Sequence, residues 1–312
     1  MEESSRILVV GGTGYIGRRI VKASIALGHP TFILFRKEVV SDVEKVEMLL
    51  SFKKNGAKLL EASFDDHESL VDAVKQVDVV ISAVAGNHMR HHILQQLKLV
   101  EAIKEAGNIK RFVPSEFGMD PGLMDHAMAP GNIVFIDKIK VREAIEAAAI
   151  PHTYISANIF AGYLVGGLAQ LGRVMPPSDK VFLYGDGNVK AVWIDEEDVG
   201  IYTIKAIDDP RTLNKTVYIR PPLNVLSQKE VVEKWEKLSR KSLDKIYMSV
   251  EDFLAGMEGQ SYGEKIGISH FYQMFYKGDL YNFEIGPNGV EASQLYPGVK
   301  YTTVDSYMER YL

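Results

Sequence analysis

Arg6–Gly17 reads RILVVGGTGYIG, an apolar run that passes directly into glycines at Gly11, Gly14 and Gly17. The run is β-branched and unbroken, the pattern of a strand buried on both faces of a parallel sheet. Gly11 permits a tight turn, Gly14 lets the backbone approach a pyrophosphate, and Gly17 lets the next helix pack closely. The turn residues Gly11, Gly12, Thr13, Gly14, Tyr15, Ile16 and Gly17 therefore stand as candidate cofactor contacts. Backbone N–H groups at the helix start point at phosphates there, and the helix dipole favours negative charge.

The same alternation continues outward. TFILF (31–35), KLLEAS (58–63), DVVISAV (78–84), RFVPS (111–115) and HTYISAN (152–158) read as further strands separated by helical stretches. Ser41-x-x-Glu44, Asp65-x-x-Glu68 and Ser227-x-x-Glu230 have the spacing of capping boxes at three helix starts. This series predicts an α/β, Rossmann-like, doubly wound parallel sheet over residues 1–158. Residues 159–312 read as a smaller α+β substrate-binding region, some of whose segments return to the sheet. Within it AGYLVGGLAQLG (161–172) looks helical, and VFLYGDGNVKAVWI (181–194) reads as two strands around a Gly-Asp-Gly-Asn turn. Ligands in such folds bind outside the carboxyl ends of the strands, so the loops after Val10, Phe35, Val84 and Ser115 should line the site.

The second strand ends at Arg36, where an acid would accept the ribose 2′-OH of NAD. A guanidinium suits a 2′-phosphate, and Lys45 in the following helix offers a second cation. The expected cofactor is NADPH; the alternative is an ordinary solvated basic turn.

Composition narrows the class. The chain has 312 residues, 46% hydrophobic and 25% charged, with a formal net charge of −5, so no basic face points to nucleic acid or anionic lipid. It has no cysteine, which removes disulfides, thiolate nucleophiles and Cys-ligated metals. No apolar run is long enough to cross a bilayer, and MEESSRILVV resembles no targeting peptide. A small organic substrate and a cytoplasmic setting are the expectations.

In NIVFIDKIKVREAIEAA (132–148), Lys138 and Arg142 lie four apart on one helical face. Short-chain dehydrogenases place a tyrosine one turn before their catalytic lysine, but that position here is Val134. Two stacked like charges are unfavourable unless one binds an anion or the other loses its proton. A cofactor phosphate or ribose would suit Arg142, and a partly buried lysine can act as a general base. From the residues alone, a solvated Lys138 on an amphipathic helix remains the plainer reading.

GGTGYIG, RFVPSEFGMDP, DKIKVREAIEAA, YGDGNVK and the ending FEIGPNGVEASQLYPGVKYTTVDSYMERYL resemble the plant reductases of phenylpropanoid metabolism. This family comprises the pinoresinol–lariciresinol, isoflavone and phenylcoumaran benzylic ether reductases, and the resemblance spans the chain. PSEFGMDP and the C-terminal stretch look most like the pinoresinol–lariciresinol members. The resemblance implies that Lys138 acts without the tyrosine, as catalytic base on a phenol. It also implies that His270, in GISHFYQMFY, contacts a lignan substrate, and that the protein is a homodimer. His270 taken alone reads as a core histidine capped by a backbone carbonyl.

NHMRHH (87–92) holds His88 and His92 at zinc-like spacing without an evident third ligand, and is read as a mobile flap rather than a metal site. Ser115 and Glu116 end the fifth strand and are expected to shape the floor under the nicotinamide. DEEDVG (195–200) reads as a helix start. The competing functions are a sister reductase of phenylcoumaran ethers or isoflavones, and a non-catalytic NADP-binding regulatory protein.

Overall fold

The computed structural model describes residues 4–85 and 90–312. The six expected strands form as β1 (Ile7–Val10), β2 (Thr31–Phe35), β3 (Lys58–Glu61), β4 (Val79–Ser82), β5 (Arg111–Val113) and β6 (Thr153–Ser156). The first five are parallel in the order β3-β2-β1-β4-β5, so the order reverses between β1 and β4, where such sheets open their binding crevice. A bridge between Phe112 and His152 attaches β6 beside β5. Strands Lys215–Tyr218 and Gly289–Glu291 then extend the parallel series beyond β6. The sheet thus recruits two strands from beyond residue 158.

The unbroken apolar strands are explained by burial on both faces. Ile7 and Val9 join Ile33, Val79, Ile81 and Val113 in one core, whereas Leu8 and Val10 join Phe32, Leu34, Val80 and Phe112 in another. Each fully buried side chain of this size contributes roughly 1.5–3 kcal/mol. A third core, around Trp193, Tyr184, Phe271 and Phe275, belongs to the smaller C-terminal layer.

Two capping expectations shift by one residue. Asp42 caps helix Val43–Lys54, accepting from the Lys45 N–H, because Ser41 closes the preceding turn by donating to the Glu38 carbonyl. Asp66 caps helix His67–Lys75, while Asp65 is held by Lys98 at 2.7 Å. The Ser227–Glu230 box forms as expected on helix Gln228–Ser239.

The predicted helix at 161–172 is confined to Ala161–Leu164. Beyond it Leu168 and Ala169 adopt left-handed conformations, φ 53° and 58°, and the Val174 and Arg173 carbonyls pass directly over Gly166 and Gly167. The Gly-Asp-Gly-Asn turn also forms no hairpin. Strands Lys180–Tyr184 and Lys190–Ile194 both exist but do not pair: the first lies beside Asp244–Met248, the second between Ile159–Phe160 and Val225–Ser227. Two side-chain amides replace the missing partner. Gln170 bonds both backbone groups of Phe182, at 2.9 and 3.0 Å, and Gln228 bonds Tyr184 N and Phe182 O, at 3.0 and 2.9 Å. The edge groups are satisfied without a strand.

Candidate active site

The glycine-rich turn joins β1 to helix Gly17–Ala26 at the carboxyl end of the sheet. Gly11 has φ 80°, and a Cβ there would lie 2.7 Å from the Ala83 carbonyl oxygen. A Cβ on Gly17 would lie 2.1 Å from the Gly11 carbonyl oxygen, so only glycine lets the helix start this close to the turn. The result is a groove of about 400 Å³ lined by Gly11, Thr13, Gly14, Phe35, Arg36 and Lys45, among others. Its bare backbone floor and Arg36 at the end of β2 suit a dinucleotide with a 2′-phosphate. Gly12 lies behind this floor against Ile33 and Val21. Lys45 lines the rim with its Nζ 2.6 Å from the Asp42 carboxylate, which leaves Arg36 the better-placed cation for a phosphate.

A second cavity, of about 530 Å³, shares Gly14, Ala83, Val84 and Ala85 with the groove, so the two are continuous. Its walls include Tyr15, Phe117, Phe135, Phe160, Tyr163 and Phe271, with Lys138, Ser115 and His270 among them. Ile16 and Val134 line it as well. Aromatic walls around a few polar groups are the chemistry of an aryl-ligand pocket. Ser115 ties two rims together, its hydroxyl donating to the Val84 carbonyl at 2.7 Å.

Helix Asn132–Ala147 carries Lys138, which is only 8% exposed. Its Nζ donates to the Glu116 backbone carbonyl at 2.7 Å. Burial lowers its pKa to about 8; the Glu116 and Asp120 carboxylates resist that shift and Arg142 adds to it. A lysine so placed loses its proton at far lower pH than one in water.

Arg142 departs from the expected role. It lines neither the groove nor the cavity. Its Nε and Nη2 instead grip Glu116 at 2.7 and 2.5 Å, Nη2 reaches Asp120 at 2.8 Å, and its guanidinium lies 4.1 Å from the Tyr154 ring centroid. Burial opposes its charge, but the two carboxylates outweigh burial and hold it protonated above its ordinary range. Helical spacing correctly puts Arg142 on the face of Lys138, but the carboxylates come from a loop more than twenty residues away.

His270 is capped by a backbone carbonyl and also faces the cavity. Its Nε2 lies 3.1 Å from the Gly131 carbonyl, and its ring lines the cavity beside Phe135, centroids 5.3 Å apart. His92 lines the nucleotide groove, whereas residues 87–89 of the expected flap, His88 included, lie outside the described residues.

Sequence reasoning missed Glu196. Asp195 caps helix Glu196–Ile207, as DEEDVG suggests, but Glu196 is 1% exposed and turns inward. Its Oε1 accepts from Tyr15 OH and Gly162 N, both at 2.8 Å. Tyr15 in turn stacks on Tyr163, centroids 4.6 Å apart. One carboxylate therefore joins the glycine-rich turn to the aromatic wall.

Fold and site together define a Rossmann-type protein whose nucleotide groove opens into an aromatic cavity. The chain belongs to the NmrA-like family, whose pattern matches residues 3–308. It is 94% identical, over 312 residues and 100% of both chains, to bifunctional pinoresinol-lariciresinol reductase 2 of Thuja plicata. A crystal structure from a group of pinoresinol-lariciresinol and phenylcoumaran benzylic ether reductases superposes with a TM-score of 0.97 at 70% identity, covering 100% of each chain. The structure of AtPrR2 with NADP+ and (+)-pinoresinol also gives 0.97, at 55% identity and 100% of each chain.

Proposed function

We propose that this protein is an NADPH-dependent reductase that opens the benzylic ethers of furofuran lignans, taking pinoresinol to lariciresinol and then to secoisolariciresinol. The observation that carries the reading is Lys138, buried, with a lowered pKa, in an aromatic cavity continuous with a dinucleotide groove. The kinship with pinoresinol-lariciresinol reductases, one solved with NADP+ and (+)-pinoresinol, supports both cofactor and substrate class.

In this reading the backbone of Gly11, Thr13 and Gly14 holds the pyrophosphate and Arg36 holds the 2′-phosphate. Neutral Lys138 accepts the proton of the substrate's 4-hydroxyl, directly or through one water. The resulting phenolate pushes electrons through its ring and expels the ether oxygen from the benzylic carbon, leaving a quinone methide and an alkoxide. Bound NADPH supplies the hydride that the benzylic carbon needs. Lys138 then returns its proton, and solvent supplies the second one that the two oxygens require. The aromatic walls pack the aryl rings, and His270 stands among them as a substrate contact.

The test is chiral chromatography of racemic pinoresinol incubated with the purified protein and NADPH. Lariciresinol and secoisolariciresinol arising from one enantiomer is the expected result. Untouched pinoresinol with bound NADPH would move the substrate to phenylcoumaran ethers or isoflavones. No turnover of any benzylic ether would leave a non-catalytic NADP-binding role. No helix among the described residues is long and apolar enough to cross a membrane; a cytoplasmic homodimer is the proposed state, checked by fractionation and light scattering.

A further inference from the structure

We infer that Asp120 is a positioning residue that sets how firmly Lys138 holds its proton, with Tyr218 tuning it from behind. The inference rests on the general-base reading of Lys138. Its ground is a buried cluster at the carboxyl ends of β5, β6 and strand Lys215–Tyr218. Glu116 is committed twice: its carbonyl accepts from Lys138, and its carboxylate is forked by Arg142. Asp120 shares Arg142 through Oδ1, and its Oδ2 accepts from Tyr218 OH at 2.5 Å. Glu116 and Asp120 are each 7% exposed, so water screens these charges poorly.

The charge balance follows from the inventory. Two carboxylates face one guanidinium, so the cluster carries one excess negative charge when Lys138 is neutral and none when it is protonated. That excess favours the ammonium and opposes desolvation. Neutralising Glu116 would also break one arm of its fork with Arg142, because both of its oxygens accept from that guanidinium and an amide NH2 cannot. Asp120 can be neutralised without such a break: an asparagine keeps an acceptor for the Gly122 N–H and for Arg142, and can donate to the Tyr218 oxygen. Asp120 is therefore the point at which charge separates from geometry. Tyr218 acts in the opposite sense, since its hydroxyl spreads the Asp120 charge over a hydrogen bond.

Other titratable and charged groups near Lys138 among the described residues come from its own helix, the cavity walls and β6. Its own helix brings Asp137, which is fully buried and 3.5 Å from Lys140, and Arg142. The cavity walls bring His270, Tyr15 and Tyr163. Tyr154 of β6 packs on Arg142 and donates to Glu146 at 3.0 Å, and Tyr218 donates to Asp120. Asp120 is the carboxylate that has a titration-silent, near-isosteric replacement within this set.

The experiment is a titration of Lys138 in full-length protein carrying 13Cε-lysine, its resonance identified by loss in Lys138→Met. It is read beside the pH profile of kcat/KM for pinoresinol at saturating NADPH. Asp120→Asn should lower the Lys138 midpoint by about half a pH unit or more, which raises the neutral fraction at pH 7 roughly three-fold. The acid limb of kcat/KM should move the same way. Tyr218→Phe should move both upward. An unchanged or raised midpoint in Asp120→Asn overturns the inference. If Asp120→Asn does not fold, Tyr218→Phe decides alone: an upward shift supports the inference and a static midpoint overturns it. A midpoint that moves while kcat/KM does not follow retains Asp120 as the setter of charge and removes Lys138 as the base.

Discussion

The side chain of Lys138 and the main chain of Glu116 form one unit: Nζ donates at 2.7 Å to a carbonyl whose own side chain grips Arg142, one helical turn beyond the lysine. That carbonyl holds the lysine, 8% exposed, without the tyrosine that dehydrogenases use. Val134 fills that tyrosine position as a wall of the cavity.

Lys138 lines the cavity and not the nucleotide groove, so the proposed general-base role is separable from cofactor binding. Lys138→Ala should keep its NADPH affinity while kcat for pinoresinol falls by about 10²–10⁴, the usual worth of a general base. Fluorescence titration with NADPH and product chromatography measure the two halves. Substantial retained turnover would remove Lys138 as the base.

The same burial has a stability cost with a defined sign. The folded pKa of about 8 lies below the ordinary lysine value of 10.5, so below pH 8 the native state bears the full penalty of a buried ammonium, about 3 kcal/mol. Between pH 8 and 10.5 the unfolded chain binds more protons, so this penalty is relieved as pH rises. Lys138→Met should therefore be more stable than the parent at pH 7, by about 1–2 kcal/mol after loss of the Glu116 hydrogen bond. Its advantage should shrink at pH 10. Urea melts at the two pH values check this, and an advantage that grows with pH would contradict it.

Arg36 stands at the mouth of the groove where β2 ends, and Lys45 beside it is already engaged by Asp42 at 2.6 Å. Arg36→Gln should weaken NADPH by roughly ten-fold or more, the worth of a charge-assisted contact to phosphate, and leave NADH nearly unchanged. Equal losses for both nucleotides in calorimetric titrations would detach Arg36 from the 2′-phosphate.

The sheet was legible because burial on both faces writes itself as unbroken apolar runs, and β1 to β6 fall inside the expected stretches. The glycine-rich turn was legible because its spacing carries its geometry. Partnerships across long stretches of chain were not. Nothing local in the sequence signals that Gln170 and Gln228 replace a hairpin strand, or that Arg142 meets Glu116 and Asp120 rather than a ribose. Helical periodicity specifies a face, while the groups opposite that face are set by tertiary packing. Glu196 was hidden for a related reason: acids in a first helical turn are ordinary, and only the packed structure shows one turned toward Tyr15.

That carboxylate allows a test of whether the cofactor turn and the substrate wall act together. Glu196 holds Tyr15 OH and Gly162 N from within the core, and Tyr15 stacks on Tyr163 across the cavity wall. Removing the acceptor leaves a half-buried hydroxyl and a half-buried N–H without it, at about 1 kcal/mol each. It also unpins the Tyr15 ring, which the glycine-rich turn contributes to the aromatic wall. Glu196→Ala should therefore lower the melting temperature and raise both the Kd for NADPH and the KM for pinoresinol. Glu196→Gln keeps an oxygen acceptor in place and should retain most of all three. If Glu196→Ala loses stability but binds both ligands as the parent does, Glu196 braces the fold without coupling the two sites. If the glutamine variant fails as badly as the alanine, the charge rather than the hydrogen bonds holds the wall.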